Sequence, residues 1–219
     1  MSALTWDVIG ERFYETGVDR GVLFPMKDGV YQKGVAWSGL TGVDENPSGG
    51  EVSKIYADNI DYLALTSVEE YGCTINAYMS PKEFDACDGS KEIAEGVTIG
   101  QQEREHFGFS YRTLIGNDTE GTKKGYKIHL VYNCLASPSS RSNSTVNDSP
   151  EAQELSWEVS TTKINVEAEG FEPTACLTID STKVDATKLK KIEDLIYGTT
   201  DQEPTLPTPD EIITLLAAA

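Results

Sequence analysis

The residues able to do chemistry are few and scattered. His106 and His129 are the two histidines. Both fall on the polar side of alternating segments expected to pair, so they should lie near one another, and imidazoles facing water on a sheet act as hydrogen-bonding groups more readily than as a base or ligand set. Cys73, Cys87, Cys134 and Cys176 are far apart and form no CxxC pair. Two sit on apolar strand faces, which favours buried free thiols over disulfides or a zinc site. Asp44, Glu45 and Asn46 stand close together in TGVDENPSGG, residues 41–50, but without the regular alternating ligands and closing glutamate of a calcium loop. They read as part of a solvated or partner-contacting loop. There is no GxSxG, HExxH, phosphate-loop lysine or GxGxxG motif. Carboxylates are so numerous that a glycosidase pair is neither indicated nor excluded. The expectation is a chain with no catalytic residue, no cofactor and no metal.

Composition narrows the classes further. A chain of 219 residues with 38% hydrophobic residues can bury one large core, and we expect one main domain with arms. No apolar run is long enough to span a bilayer, and the first residues lack the basic and apolar regions of an export signal. The expectation is synthesis in the cytoplasm and no membrane insertion. With 36 acidic against 18 basic residues the formal charge is -18. Such a surface repels phosphate backbones, so gripping nucleic acid by counterion release is disfavoured.

The most rule-bound stretch is 51–89. Tyr71, Cys73, Ile75, Ala77 and Met79 alternate with Glu70, Gly72, Thr74, Asn76 and Tyr78, the period that sends successive side chains to opposite faces of a strand. Ser80-Pro81-Lys82-Glu83-Phe84 then predicts a short helix with a capping box and a Met79–Phe84 staple, stopped by Asp88-Gly89. Earlier, residues 20–26 and 34–40 predict two strands joined through the Lys27-Asp28-Gly29 turn, and the chain re-enters strand at Val52. Later, Phe107, Phe109 and Tyr111 alternate with Ser110 and Arg112, and Tyr126 through Cys134 gives the longest alternating run. These two should pair across the charged turn 117–125. Residues 137–149 are low in complexity and predict a long loop. Leu155, Trp157 and Val159 put the apolar face on odd positions whereas Ile164 and Val166 put it on even ones, so a bulge or bend is expected near Thr161 and Thr162. Ala175, Leu177 and Ile179 give one more strand.

A helix is predicted from Val184 to Tyr197, capped by Asp185, with Leu189, Ile192 and Ile196 on one stripe and Gly198 closing it. Thr208-Pro209-Asp210-Glu211 is a second capping box, ahead of Ile212, Ile213, Leu215 and Leu216. The predicted organisation is an N-terminal arm over 1–19, a β domain over 20–198 with long loops at 41–50 and 137–149, and a C-terminal arm over 199–219. Because that last arm follows a Pro/Thr linker, it is expected to dock on a neighbouring copy. Its removal should then leave a folded monomer.

The order of these features resembles the major tail proteins of long-tailed bacteriophages, the subunits of the tail tube. The segment KIYADNIDYLALTSVEEYGCTINAYMSPKEFDACDG carries the resemblance most strongly, with the hairpin from Phe107 to Cys134, the late helix and the PTPDEIITLL tail. The resemblance implies a mainly β fold, a β-sandwich or open barrel with a flanking α-helix, a short helix after the central strand, and extended terminal arms. It implies hexameric rings stacked into a tube within the virion tail, made in the host bacterial cytoplasm. Each copy would give about four strands to an inner barrel wide enough to enclose an aqueous channel. Implied partners are further copies, tape measure, terminator and distal tail proteins, and double-stranded DNA passing through without specific binding.

Alternation then nominates residues for those roles. Glu70, Thr74, Asn76, Lys127, His129, Asn133, Glu158 and Ser160 oppose the apolar faces and could line either the bore or the outer surface. Asp44, Glu45, Asn46, Ile212, Ile213, Leu215 and Leu216 are nominated for ring stacking. The competing expectations are a secretion-system tube protein of the same fold, a monomeric β-sandwich binding module and an acidic hydrolase.

Overall fold

The strands of the main sheet each have an apolar face to hide, and the chain hides it by curling that nine-stranded sheet around an aromatic core, while two two-stranded hairpins stand apart from it. The computed structural model describes residues 3–146, 148 and 152–217. In chain order the strands are β1 (Phe13–Lys27), β2 (Val30–Tyr31), β3 (Val35–Trp37), β4 (Leu40–Glu45), β5 (Val52–Ala57), β6 (Ile60–Thr66), β7 (Gly72–Ala77), β8 (Lys91–Ala94), β9 (Val97–Ile99), β10 (Phe107–Asn117), β11 (Gly121–Ala136), β12 (Leu155–Thr161) and β13 (Cys176–Asp180). Two helices follow, α1 (Ala186–Tyr197) and α2 (Pro209–Ala217). The fold is mainly β, as expected.

The main sheet runs β2-β1-β10-β11-β12-β7-β4, with β3 also on β1 and β13 also on β11. Only Ser38 and Gly39 separate β3, which pairs with β1 at one end of this path, from β4, which pairs with β7 at the other. The sheet therefore bends into an open barrel. Its interior holds Trp37, Trp157, Phe84, Phe107 and Phe109 together with Ile75, Val131 and Val159. The Trp37 ring meets Phe84, Phe109 and Trp157 at centroid distances of 4.6, 5.6 and 5.5 Å, within the range of tilted and edge-to-face aromatic pairs. Its indole N–H donates to the Met79 carbonyl at 2.8 Å, so the polar atom is satisfied inside an apolar core.

The outer face of β1, β11 and β13 is covered by the helices. Phe24, Ile128, Leu130 and Tyr132 pack against Leu189, Ile192, Ile196, Leu206 and Ile212. α1 begins as expected, with the Asp185 carboxylate accepting from the N–H groups of Thr187 and Lys188, and its buried stripe is Leu189, Ile192 and Ile196. α2 begins with the expected capping box: the Thr208 N–H donates to Glu211 at 2.8 Å and the Glu211 N–H donates to Thr208 Oγ1 at 3.3 Å.

Several expectations are corrected. β1 starts at Phe13, inside the stretch assigned to an arm, because Phe13 to Thr16 pair with Asn117 to Leu114. Residues 40–45 form β4 rather than a loop. The expected helix after Ser80 is one 3-10 turn, Lys82–Phe84, with no side-chain cap. Met79 is exposed and makes no staple, while Phe84 and Cys87 pack into the barrel core. The expected bulge at Thr161 is absent because β12 ends there, and Ile164 instead forms a bridge with Thr174. A bulge does occur on β11, where Phe107 and Phe109 oppose Cys134 and Val131. Asn133 sits in it at φ 47°, a conformation asparagine tolerates better than most residues. That extra residue moves Cys134 from the helix-covered face to the barrel interior. Of the loop expected over 137–149, residues 147 and 149 lie outside the described residues, and 137–146 carry no regular structure.

The C-terminal segment packs on its own protomer, against expectation. The Thr205 N–H donates to the Leu195 carbonyl at 2.7 Å, and the buried Tyr132 hydroxyl donates to the Pro207 carbonyl at 2.9 Å. Gly108 makes room for this docking, since a Cβ there would stand 2.3 Å from Leu206 Cδ2. Accordingly, Ile212→Ala should cost about 2–5 kcal/mol in urea unfolding, and ending the chain at Leu206 should lower the thermal midpoint. A truncated chain that melts with the full-length protein would reject this packing.

Candidate functional site

The outer face of β12, β7 and β4 is the part of the sheet left uncovered by the helices, and it is polar. Cross-strand registry places Glu158, Thr74 and Asp44 in one row and Ser156, Asn76 and Gly42 in the next. Ser160 lies opposite Gly72. Hydrogen bonds run along the face: Asn76 Nδ2 donates to Asp44 Oδ2 at 2.9 Å, Asn46 Nδ2 donates to Thr74 Oγ1 at 3.0 Å, and the Thr41 hydroxyl meets the Glu154 carboxylate. The same strands turn Cys73, Ile75, Ala77, Trp157 and Val159 inward. Period-two alternation is therefore the whole reason the face is polar.

This face gathers four of the residues nominated for a bore: Thr74, Asn76, Glu158 and Ser160. Glu70 lies at its margin, in an isolated bridge with Ser48. Asp44 and Asn46, nominated for stacking, belong to the same surface. Asp44, Glu154 and Glu158 make its ionised side chains acidic, and these rows contain no lysine or arginine.

Lys127, His129 and Asn133 do not join it. Asn133 is the bulge residue, its N–H donating to the Tyr31 hydroxyl at 2.9 Å. Lys127 and His129 share the inward face of β11 with Val131. Lys127 is ion-paired with Glu15. His129 stacks on Tyr111 with ring centroids 4.5 Å apart and planes 5° from parallel. Its Nε2 is 2.9 Å from Thr113 Oγ1, and its Nδ1 is 3.4 Å from Thr178 Oγ1 and 3.8 Å from Glu45 Oε1. Glu45 turns inward from β4 and accepts a hydrogen bond from the Tyr111 hydroxyl at 2.8 Å. His106 lies just before β10 rather than on a strand, and the expected pairing of the two imidazoles is replaced by this Tyr-Glu-Thr setting for His129 alone.

Burial pushes the His129 imidazole below its ordinary value of 6.5, outweighing the pull of Glu45 and Glu15 in the other direction. Burial likewise raises Tyr111, with the Glu45 hydrogen bond adding to it, and raises the Cys73 thiol to about 12. Thiols held this way remain protonated and weakly nucleophilic at neutral pH. Among the described residues no group of three or more His, Cys, Asp or Glu side chains is arranged to hold a metal ion. Among the same residues no helix is long and apolar enough to cross a membrane.

The nominated C-terminal residues are divided by α2. Ile212 is 2% exposed and belongs to the helix-covered core, Ile213 and Leu215 are half-buried, and Leu216 reaches the surface. Ile212 is thus unavailable for stacking.

Two exposed hairpins lie outside the nominated residues, the strand expected from Val52 being the first arm of one of them. β5 and β6 pair through Asp58-Asn59, both at positive φ, and bring Ile55, Ile60, Leu63 and Leu65 to one face, each between 44% and 61% exposed. β8 and β9 form a shorter hairpin with Ile93, Val97 and Ile99 exposed. A two-residue turn of the Asp-Asn kind between apolar alternations was the available signal for the first.

No protein-family model matches the chain, and no curated protein matches it. Among solved structures, a chain in the six-fold symmetrised cryo-EM structure of the anti-feeding prophage baseplate is similar, with a TM-score of 0.39 and 9% identity over 83% of this chain and 100% of that one. At that level of likeness neither partners nor activity transfer.

His129 sets a pH dependence. With its folded value depressed, the unfolded chain binds the proton more readily, so this contribution to stability is complete above the ordinary value of 6.5 and is lost as pH falls below it. Thermal midpoints should decline between pH 7.5 and 5.5, and His129→Gln should flatten that decline. An unchanged slope in the variant would remove the assignment.

Proposed function

We propose that the chain is a structural subunit of a phage-type tail tube, in which identical copies form rings, hexameric by the resemblance noted from the sequence, and the rings stack. The observation that carries this reading is the β5–β6 hairpin. A two-stranded ribbon is at best marginally stable alone in water. This one holds four aliphatic side chains on one face, each about half exposed among the described residues. Covering that face with a second copy removes the apolar side chains from water at roughly 25 cal/mol per Å². The hairpin, rather than Asp44 to Asn46 or Ile212, is the stacking element in this reading.

The uncovered polar face of β12, β7 and β4 supplies the proposed bore lining. Asp44, Glu154 and Glu158 would meet passing DNA with like charge, so no phosphate is neutralised and no counterion released. A smooth repulsive wall favours transit over binding. In this reading the chain is structural and not catalytic, and its other partners are the remaining proteins of the tail.

Light scattering and negative-stain microscopy of the purified chain test the proposal. Rings or tubes are expected as concentration rises, and Leu63→Lys with Leu65→Lys should abolish stacking while leaving the thermal midpoint within a few degrees, because both positions are exposed in the protomer. A single monomeric mass at every concentration would overturn it.

A further inference from the structure

β4 is the last strand of the main sheet and pairs only with β7, so side chains, rather than a backbone ladder, tie its free side to the rest of the barrel. Val43 packs into the core, and among the described residues one hydrogen bond reaches from β4 to β10, donated by the Tyr111 hydroxyl to Glu45 Oε1 at 2.8 Å. The same oxygen lies 3.8 Å from Nδ1 of His129 on β11. The Glu45 side chain is 49% exposed and that of His129 12%, which puts the carboxylate at the mouth of the barrel and the imidazole just inside it. His129 is the fixed partner: its ring lies flat on Tyr111, and its two nitrogens face the Thr113 and Thr178 hydroxyls. Threonine hydroxyls both donate and accept, so this setting holds a neutral ring in either tautomer and a charged one equally in place. The other groups around the pair are already engaged. On the strand of His129 itself, Lys127 pairs with Glu15 of β1. On β13, Thr178 stands between Cys176, whose thiol burial keeps protonated, and Asp180, which accepts from Thr182 and pairs with Lys183. Beside Glu45, the Tyr71 and Tyr111 hydroxyls and the Cys73 thiol are raised by burial and stay protonated. Among the described residues Glu45 is the carboxylate of this setting with no lysine or arginine on it.

We propose that Glu45 and His129 form a proton-operated clasp across the free side of β4. With the imidazole neutral, the carboxylate holds the Tyr111 hydroxyl alone. When the imidazole takes a proton from solvent, its Nδ1–H becomes a charged donor, and the carboxylate closes from 3.8 Å toward the roughly 2.7–2.9 Å of such pairs, drawing the end of β4 inward. Asp44 and Asn46 flank Glu45 and are hydrogen-bonded to Asn76 and Thr74, so the movement reaches the polar face of β12, β7 and β4. Burial holds the imidazole below 6.5 while Glu45 pulls it up, so the clasp closes only in acid and recovers part of what burial costs the charged ring. The chain still loses stability as pH falls, because the folded value remains the lower one. This clasp belongs to the protomer and stands apart from the ring reading.

NMR titration of the two imidazoles in the full chain tests the clasp, with His129→Gln assigning the signals. The His129 midpoint is expected below 6.5, and proton–proton contacts between the Glu45 methylenes and the His129 ring should strengthen as pH falls through it. Glu45→Gln should move the midpoint further down by removing the pull, and Tyr111→Phe should move it up by leaving the carboxylate free for the ring. Near-UV circular dichroism from the core tryptophans checks that each variant is folded, and the contacts in the wild-type chain decide the matter should a variant not fold. A midpoint that a folded variant leaves unmoved or shifts the other way, or Glu45–His129 contacts that stay constant across the titration, would overturn the clasp.

Discussion

The constraint on which this structure depends is that β11 must be covered on both faces. Over Lys127 to Tyr132 one side looks toward the barrel core and the other toward α1 and α2. A sheet with only one dry face can stay open and flat, but a strand dry on both faces needs covers on both sides. The curled sheet supplies the inner cover and the helices the outer one. The bulge at Asn133 is the device that reconciles them, because it sends Val131 and Cys134 to the same interior although an odd number of positions separates them. Beyond it β11 leaves β13 and takes up β12, the first of the three strands whose outer face is wet.

Coverage by α1 and the C-terminal segment is therefore partial by construction. Leu206 lies over Gly108 and Pro207 over Tyr132, while β12, β7 and β4 keep their outward residues in water. The two hairpins project from the ends of these same strands and add apolar area without adding core. In the proposed reading these exposed aliphatic faces are where copies meet, with charge deciding orientation.

Much of this was legible in the residues. Alternation located β7, β10, β11 and β12, and capping chemistry located α1 and α2 with their first turns. What alternation could not supply was the second cover. Ser110 reads as a polar outward residue, yet it is fully buried, on the face of β10 where Leu206 lies over Gly108. His129 and Lys127 read as one polar face with Asn133, but the bulge separates Asn133 from them and the curl of the sheet turns them inward. Asp44 and Glu45 read as loop because Gly42, Asn46 and Pro47 surround them, although β7 offers that segment a ladder of hydrogen bonds strong enough to override its weak strand propensity. The polar face emerged from the same rule that located the core, with Thr74, Asn76, Glu158 and Ser160 falling where period two places them.

The C-terminal segment illustrates how a correct local reading leads to a wrong global one. Its capping box, its helix and its apolar stripe are all where the residues place them, and the Pro/Thr connection does give it reach. Reach alone does not choose a partner. α1 packs Ile192 and Ile196 into one cluster with β1 and β11, and Leu206 and Ile212 complete that cluster at no cost in translational freedom, since both are already tethered. A neighbouring copy offering the same site would be disfavoured by the entropy of association and by charge repulsion between chains. The intramolecular site therefore wins, and it leaves the untethered apolar surfaces, the two hairpins and the N-terminal half of β1, as those that gain most from meeting another copy.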